Sequence, residues 1–206
     1  MSDSNKEIKV VLASANAHKA SEFQAMLEPL GFKIVLQSDF NVKEVDENGK
    51  SFIQNALIKA YNASLYANMP ALADDSGICV DALDGAPGIQ SARFCGEHGN
   101  DKANNKLLLK KLEGVPIEKR SARFVCALAY VRSKDDPTPL IATASWEGKI
   151  GFEEIGSNGF GYDPLFVVES RNTTAALLPP QVKNLLSHRS KALNKMLDLL
   201  KRTYGY

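Results

Sequence analysis

The chain is 206 residues long and 44% hydrophobic, enough for one well-buried domain or two closely packed lobes, and no shift in composition marks a boundary. Its 25 basic and 24 acidic residues leave a net charge of +1, so the overall balance calls for neither a nucleic-acid nor a membrane partner, and any anion site must be local. No apolar run approaches the roughly 20 residues of a membrane helix, residues 1–7 lack an apolar signal core, and the three cysteines, Cys79, Cys95 and Cys126, form no CxxC pair; a cytoplasmic protein with buried free thiols is expected.

Ile8 to Ala13 is a short apolar, β-branched run, and helix-period apolar positions follow at Phe23, Met26, Leu27 and Leu30 before Gly31. The pattern predicts strand, loop, helix. Phe32 to Leu36 reads as a second strand. Ser51 then caps a helix whose apolar face is Phe52, Ala56, Leu57 and Ala60, with Asn55 and Lys59 together on another face. An apolar run ends in Asp74-Asp75-Ser76-Gly77, a strand entering a turn, and the Gly/Pro-rich loop Asp84 to Gly88 leads to a predicted helix from Asp101 to Glu113, stopped by Gly114. Phe124–Val131 and Leu140–Trp146 read as strands joined through Asp135-Asp-Pro-Thr-Pro139, close enough to pair as an antiparallel hairpin, so the sheet should be mixed. A last helix starts near Ser187 and carries Leu193, Met196, Leu197 and Leu200 on one stripe. The fold class is therefore α/β, with a mixed central sheet flanked by helices and no internal repeat.

Four segments carry candidate chemistry, each with a plainer structural alternative. Adjacent carboxylates repel unless a cation or proton lies between them, so Asp74 and Asp75 at a strand end read as a divalent-metal seat or an acid/base pair, or else as a solvated turn. Ser14, Asn16 and Lys19 place a hydroxyl, an amide and an ammonium where a helix begins, which suits a phosphate or simply caps the helix; the glycines of a Walker A loop are missing. Gly156 to Pro164 holds three glycines with Phe160 and Tyr162, either a loop that approaches and stacks on a flat ring or a connection whose aromatics pack inward. Lys183, Ser187, His188 and Arg189 gather donors around the start of the last helix, where Arg189 can fork onto a carbonyl or phosphate and His188 can donate to a ring oxygen; a capped, solvated helix start is the alternative.

Together these segments supply the parts for a nucleoside triphosphate, and the sequence resembles the inosine/xanthosine triphosphate pyrophosphatases across nearly its whole length. The resemblance rests on Ser14-x-Asn16-x-x-Lys19, Phe52-Ile-Gln-Asn55-Ala56-x-x-Lys59-Ala60, Ala73-Asp-Asp-Ser-Gly77 with Asp81, Gly85-Ala-Pro-Gly88 to Ser91-Ala-Arg93, Gly159-Phe-Gly-Tyr-Asp-Pro164 and Ser187-His-Arg189. It implies Mg²⁺-dependent hydrolysis of deaminated purine nucleoside triphosphates to monophosphate and pyrophosphate, cleansing the nucleotide pool. It also implies a single catalytic domain over residues 1–206, with a deep substrate cleft between two lobes, in a homodimer. Carried over by position, Asp75 or Asp74 would be the general base, and Glu47 and Asp75 the metal ligands. Ser14, Asn16, Lys19 and Lys59 would hold phosphates, while Ser76, Phe160, Gly161, Tyr162, Asp163, Lys183, His188 and Arg189 would line the nucleotide site. Two positions depart from the family pattern: Gln54 stands where Glu is usual, and Leu177 lies near a usual acidic residue; Pro179 and Pro180 also precede Lys183. A nucleotide-binding module without hydrolysis is the alternative from another class.

Overall fold

The computed structural model describes residues 8–14, 17–28 and 31–205, the side chains of 17–19 and 22 excepted. The described residues form seven strands, β1 (Ile8–Ala13), β2 (Phe32–Leu36), β3 (Ala71–Val80), β4 (Ser121–Val131), β5 (Leu140–Ile150), β6 (Phe166–Val168) and β7 (Thr173–Thr174). The helices are α1 (Ala17–Leu27), α2 (Phe52–Ala67), α3 (Asp101–Lys111), α4 (Pro180–Leu186) and α5 (His188–Tyr204). The strands make one sheet in the order β2-β1-β3-β4-β5-β6-β7. Parallel pairing of β1 with β2 and β3 and antiparallel pairing of β6 with β5 and β7 make it mixed, as expected, and the two strands read as a hairpin, β4 and β5, are neighbours in it.

The chain clusters into two compact units, the first comprising the described residues up to Asp75, Ala127–Ala142 and those from Lys195 onward, the second Ser76–Cys126 and Thr143–Asn194. In the first, β1 is flanked on both sides by parallel strands, and its run Val10 to Ala13 is buried continuously. Helix α2 starts where Ser51 Oγ accepts from Gln54 N at 3.2 Å and ends at Asn68 in the left-handed conformation. Ala56, Ala60 and Ala63 are fully buried in one cluster with Val11, Ala13, Ala71, Ala73, Ala127, Ala129 and Val131, so small side chains let this helix lie close to the strands. That closeness sets how far a side chain on α2 must reach to meet β3.

The second unit has a larger-residue core. Phe124 packs against Phe166 at 4.6 Å and Trp146 at 6.4 Å between ring centroids, with Leu108, Leu112, Ile150 and Leu165 fully buried around them. Each such side chain contributes about 1.5–3 kcal/mol through burial. Two strands run beyond their predicted apolar stretches: β4 begins at Ser121 and β5 continues to Ile150. Both extensions alternate polar and apolar, as a strand with one wetter face does. Helix α4 is new relative to the sequence reading; Pro180 occupies its first turn, where the missing N–H has no helical partner to lose. Ser187 then caps α5, its Oγ accepting from Ser190 N at 3.2 Å. Cys126 is buried as expected, but Cys79 and Cys95 are only half-buried.

Candidate active site

The first unit gathers carboxylates around one lysine. Because Asn55 and Lys59 are four residues apart on α2, they share a face, and both reach Asp75, midway along β3. Asn55 Nδ2 donates to Asp75 Oδ2 at 3.2 Å, and Lys59 Nζ lies 3.0 Å from Asp75 Oδ1 and 3.2 Å from Glu47 Oε2. Asn55 is itself fixed, since its Oδ1 accepts from Gly49 N at 2.9 Å; a Cβ at Gly49 would collide with that oxygen. Asp74 and Asp75 are 1% and 7% exposed and lie inside β3, which runs on through Ser76 and Gly77 to Val80, so the expected strand end and turn are not there: the pair is held mid-strand and buried. Burial raises the Asp75 pKa, opposed but not cancelled by Lys59. Burial pulls the Lys59 ammonium down, yet Asp75, Asp74 and Glu47 together outweigh it and hold its pKa above the ordinary value. Ser14, half-buried, follows β1 in the same unit. Asn16 and the Lys19 side chain lie outside the described residues.

The second unit gathers cations around one aromatic ring. Phe160 is half-buried, with Lys183 Nζ 5.0 Å and Arg189 Cζ 5.6 Å from its ring centroid. Asp163 Oδ2 accepts from Lys183 Nζ at 2.6 Å and from Phe160 N at 2.9 Å, so one carboxylate fixes both the loop and the lysine. Gly159 is required beside it, because its φ is +80° and a Cβ would collide with the same carboxylate. His188 stacks on Phe124 at 4.9 Å with 11° between the planes. Ser76 is half-buried, while His188, Arg189 and Lys183 are 6%, 3% and 7% exposed, so any group they meet is largely stripped of water.

The structure also separates residues that sequence reasoning had grouped. The Tyr162 ring is buried in the core and its hydroxyl donates to Ser91 O at 2.8 Å, with burial pushing its pKa up; the side chain anchors the loop, leaving only backbone to face a ligand there. Gln54 turns back on its own helix start, its Oε1 accepting from Lys50 N at 2.6 Å, so this departure is a capping arrangement. Leu177 is an exposed surface residue. Asn55 was visible as the helical neighbour of Lys59 without a role. Phe124, which supports His188, gave no signal beyond being a strand aromatic.

A carboxylate–lysine cluster suits a cation and phosphate oxygens, and an aromatic ring ringed by cations suits a flat heterocycle; these are the two chemistries of a nucleotide-processing enzyme. The chain belongs to the Ham1 family, whose sequence model matches residues 10–199. It is 51% identical over 193 residues to the dITP/XTP pyrophosphatase of Photobacterium profundum, covering 94% of this chain and 98% of that protein. Against the dITP/XTP pyrophosphatase of Thioalkalivibrio sulfidiphilus the figures are 50% over 193 residues, 94% and 98%. Among solved structures, it resembles a HAM1 protein from Coxiella burnetii with a TM-score of 0.88 and 43% identity, over 95% of this chain and 100% of that one. The Ham1 protein of Staphylococcus aureus is similar with a TM-score of 0.84 and 34% identity, over 94% and 98%.

Proposed function

We propose that this chain hydrolyses deaminated purine nucleoside triphosphates, dITP, ITP and XTP, to the monophosphate and pyrophosphate. The observation that carries the reading is the Glu47–Lys59–Asp75–Asn55 cluster, in which two carboxylates converge on a single cation, Lys59 Nζ, within 3.2 Å. The names of relatives at about half identity over nearly the full length support the substrate class.

The donor set fits Mg²⁺. Its oxygen ligands are of the required hard type, and the ion commonly takes one or two carboxylates with water and substrate phosphates. Glu47 and Asp75, which converge on Lys59 Nζ, would hold the ion, and phosphate oxygens of the substrate would supply further ligands. When bound, the ion neutralises charge on the triphosphate and on the departing pyrophosphate.

Asp75, oriented by Asn55 Nδ2 and Lys59 Nζ, holds or deprotonates the water that attacks the α-phosphorus in line; adjacent Asp74 is the alternative for this role. Lys59, with Ser14, Asn16 and Lys19, binds phosphate oxygens. The base stacks on Phe160, and Lys183, His188, Arg189 and Ser76, with backbone at Gly161 to Asp163, recognise the nucleotide. A 6-oxo purine accepts from these donors, whereas the 6-amino group of adenine leaves them unpaired. At about 1–3 kcal/mol for each buried unpaired donor, two of them disfavour adenine by roughly 2–6 kcal/mol, about thirtyfold or more. In this reading the enzyme acts as a cytoplasmic homodimer in a single catalytic domain and engages neither nucleic acid nor membrane.

The test is pyrophosphate release from dITP, XTP, GTP, ATP and dUTP, each with Mg²⁺ and with chelator. Metal-dependent release mainly from dITP and XTP is expected. Release from none would replace hydrolysis with simple nucleotide binding.

A further inference from the structure

We propose that Asp101 and Asn105, one turn apart on α3, are positioning residues that set the backbone at Gly161 and, through it, base preference; this rests on the nucleotide reading above. Gly161 N donates to Asp101 Oδ2 at 2.7 Å, and Asn105 Nδ2 donates to Gly161 O at 3.1 Å. Both main-chain polar groups of one loop residue are therefore held by side chains of a single helix. Gly161 has φ +63°, and nothing lies within 4 Å of the position a Cβ would take, so glycine is needed there for conformation and not for space. The freedom that glycine brings is what the two side chains remove.

The helix is itself anchored. Asn104, between the two clamping residues, accepts from Cys95 N at 2.8 Å and donates to Ala92 O at 3.3 Å. The same segment supplies Ser91 O, which receives the Tyr162 hydroxyl. Three consecutive loop residues thus have separate restraints: Phe160 through Asp163, Gly161 through α3, and Tyr162 through Ser91. Asn105 is 3% exposed, and its Oδ1 has no hydrogen-bond partner among the described residues. A buried carboxamide with one end unpaired is unfavourable for stability, so its Nδ2 bond to the loop accounts for its presence better than stability does.

Base discrimination requires the stacking ring and the donors to be fixed to within about half an ångström. When Gly161 is loosened, Phe160 next to it shifts, and adenine can settle without opposing its amino group to the donors. Asp101 and Asn105 are bonded to the loop that carries the stacking ring, so their loss should act on KM and selectivity more than on kcat.

The experiment compares kcat and KM for dITP and dATP in the full-length chain and in Asp101→Ala, Asp101→Asn and Asn105→Asp, with a thermal melt of each. Asp101→Ala should raise the KM for dITP and lower the dITP-to-dATP ratio of kcat/KM about tenfold, the scale of one charge-assisted hydrogen bond. Asp101→Asn keeps an acceptor for Gly161 N and should restore most of the ratio. Asn105→Asp conserves volume, opposes Gly161 O with an oxygen, and should reproduce the loss even if Asp101→Ala fails to fold. An unchanged ratio, or an equal loss for both substrates, would overturn the positioning role, since fewer folded molecules slow both alike. Wild-type chain that releases no pyrophosphate from dITP would instead remove the nucleotide reading, and this inference with it.

Discussion

Lys183 and Asp163 form a pair whose side chains are 9% and 4% exposed, joined at 2.6 Å. Asp163→Asn leaves Phe160 N an acceptor but strands the ammonium without its counter-charge. Breaking a buried pair from one side costs about 3–5 kcal/mol, and retention of a neutral acceptor places this substitution at the lower end, about 3 kcal/mol. Lys183→Met removes the ammonium and its contact with the Phe160 ring, 5.0 Å away, leaving Asp163 with the Phe160 amide; about 2–3 kcal/mol is expected. The double variant has no stranded charge, so its loss should fall short of the sum by about 2 kcal/mol. Urea unfolding of the four proteins measures this directly through midpoints at constant m. Losses that add to within about 0.5 kcal/mol would refute the pair as an energetic unit and leave the 2.6 Å contact without consequence.

Other substitutions separate chemistry from scaffold. Asp75→Asn should lower kcat by about 10²–10⁴ while KM for dITP moves less than about threefold, as loss of a general base does; steady-state kinetics decides. His188→Ala should bring dATP and dITP turnover closer together, read as the ratio of their kcat/KM. Arg120 is buried and donates to Leu112 O, Val115 O and Gly151 O, so Arg120→Met should destabilise by about 3 kcal/mol in urea, one net hydrogen bond per carbonyl. Asp136, bonded to Arg132 and Thr138, has its pKa held well below the ordinary value. A depressed carboxylate contributes stability in full above its unfolded value and loses it as pH falls toward the folded one, so the melting difference between wild type and Asp136→Asn should shrink progressively below about pH 4. A difference independent of pH would show that the charge of Asp136 is irrelevant.

What sequence could show followed the range of the interaction. Runs such as Val10–Ala13 and the α5 stripe declare themselves because burial repeats with the local period. The strand ends at Ser121 and Ile150 did not, since the added stretches are short and carry Ser121, Arg123, Glu147, Gly148 and Lys149, too few residues and too polar for a period to show. The segment at Pro179-Pro180 gave no helix in the sequence reading, yet a proline in the first turn starts α4. Asp75 and Lys59 stood out by charge, and the four-residue spacing already put Asn55 beside Lys59. The grip of Asp101 and Asn105 on Gly161 spans about sixty residues of chain and leaves no local pattern. Tyr162 was ambiguous in sequence for a physical reason: an aromatic in a glycine-rich loop has the same composition whether its ring stacks on a ligand or, as here, is buried with its hydroxyl on Ser91.

Attack at the α-phosphorus is the claim on which the rest depends, and hydrolysis of dITP in ¹⁸O-enriched water locates it. The label should appear in the monophosphate, with unlabelled pyrophosphate as the other product. Label in pyrophosphate, or release of orthophosphate and a diphosphate, would contradict the role given to Asp75 and the reaction itself.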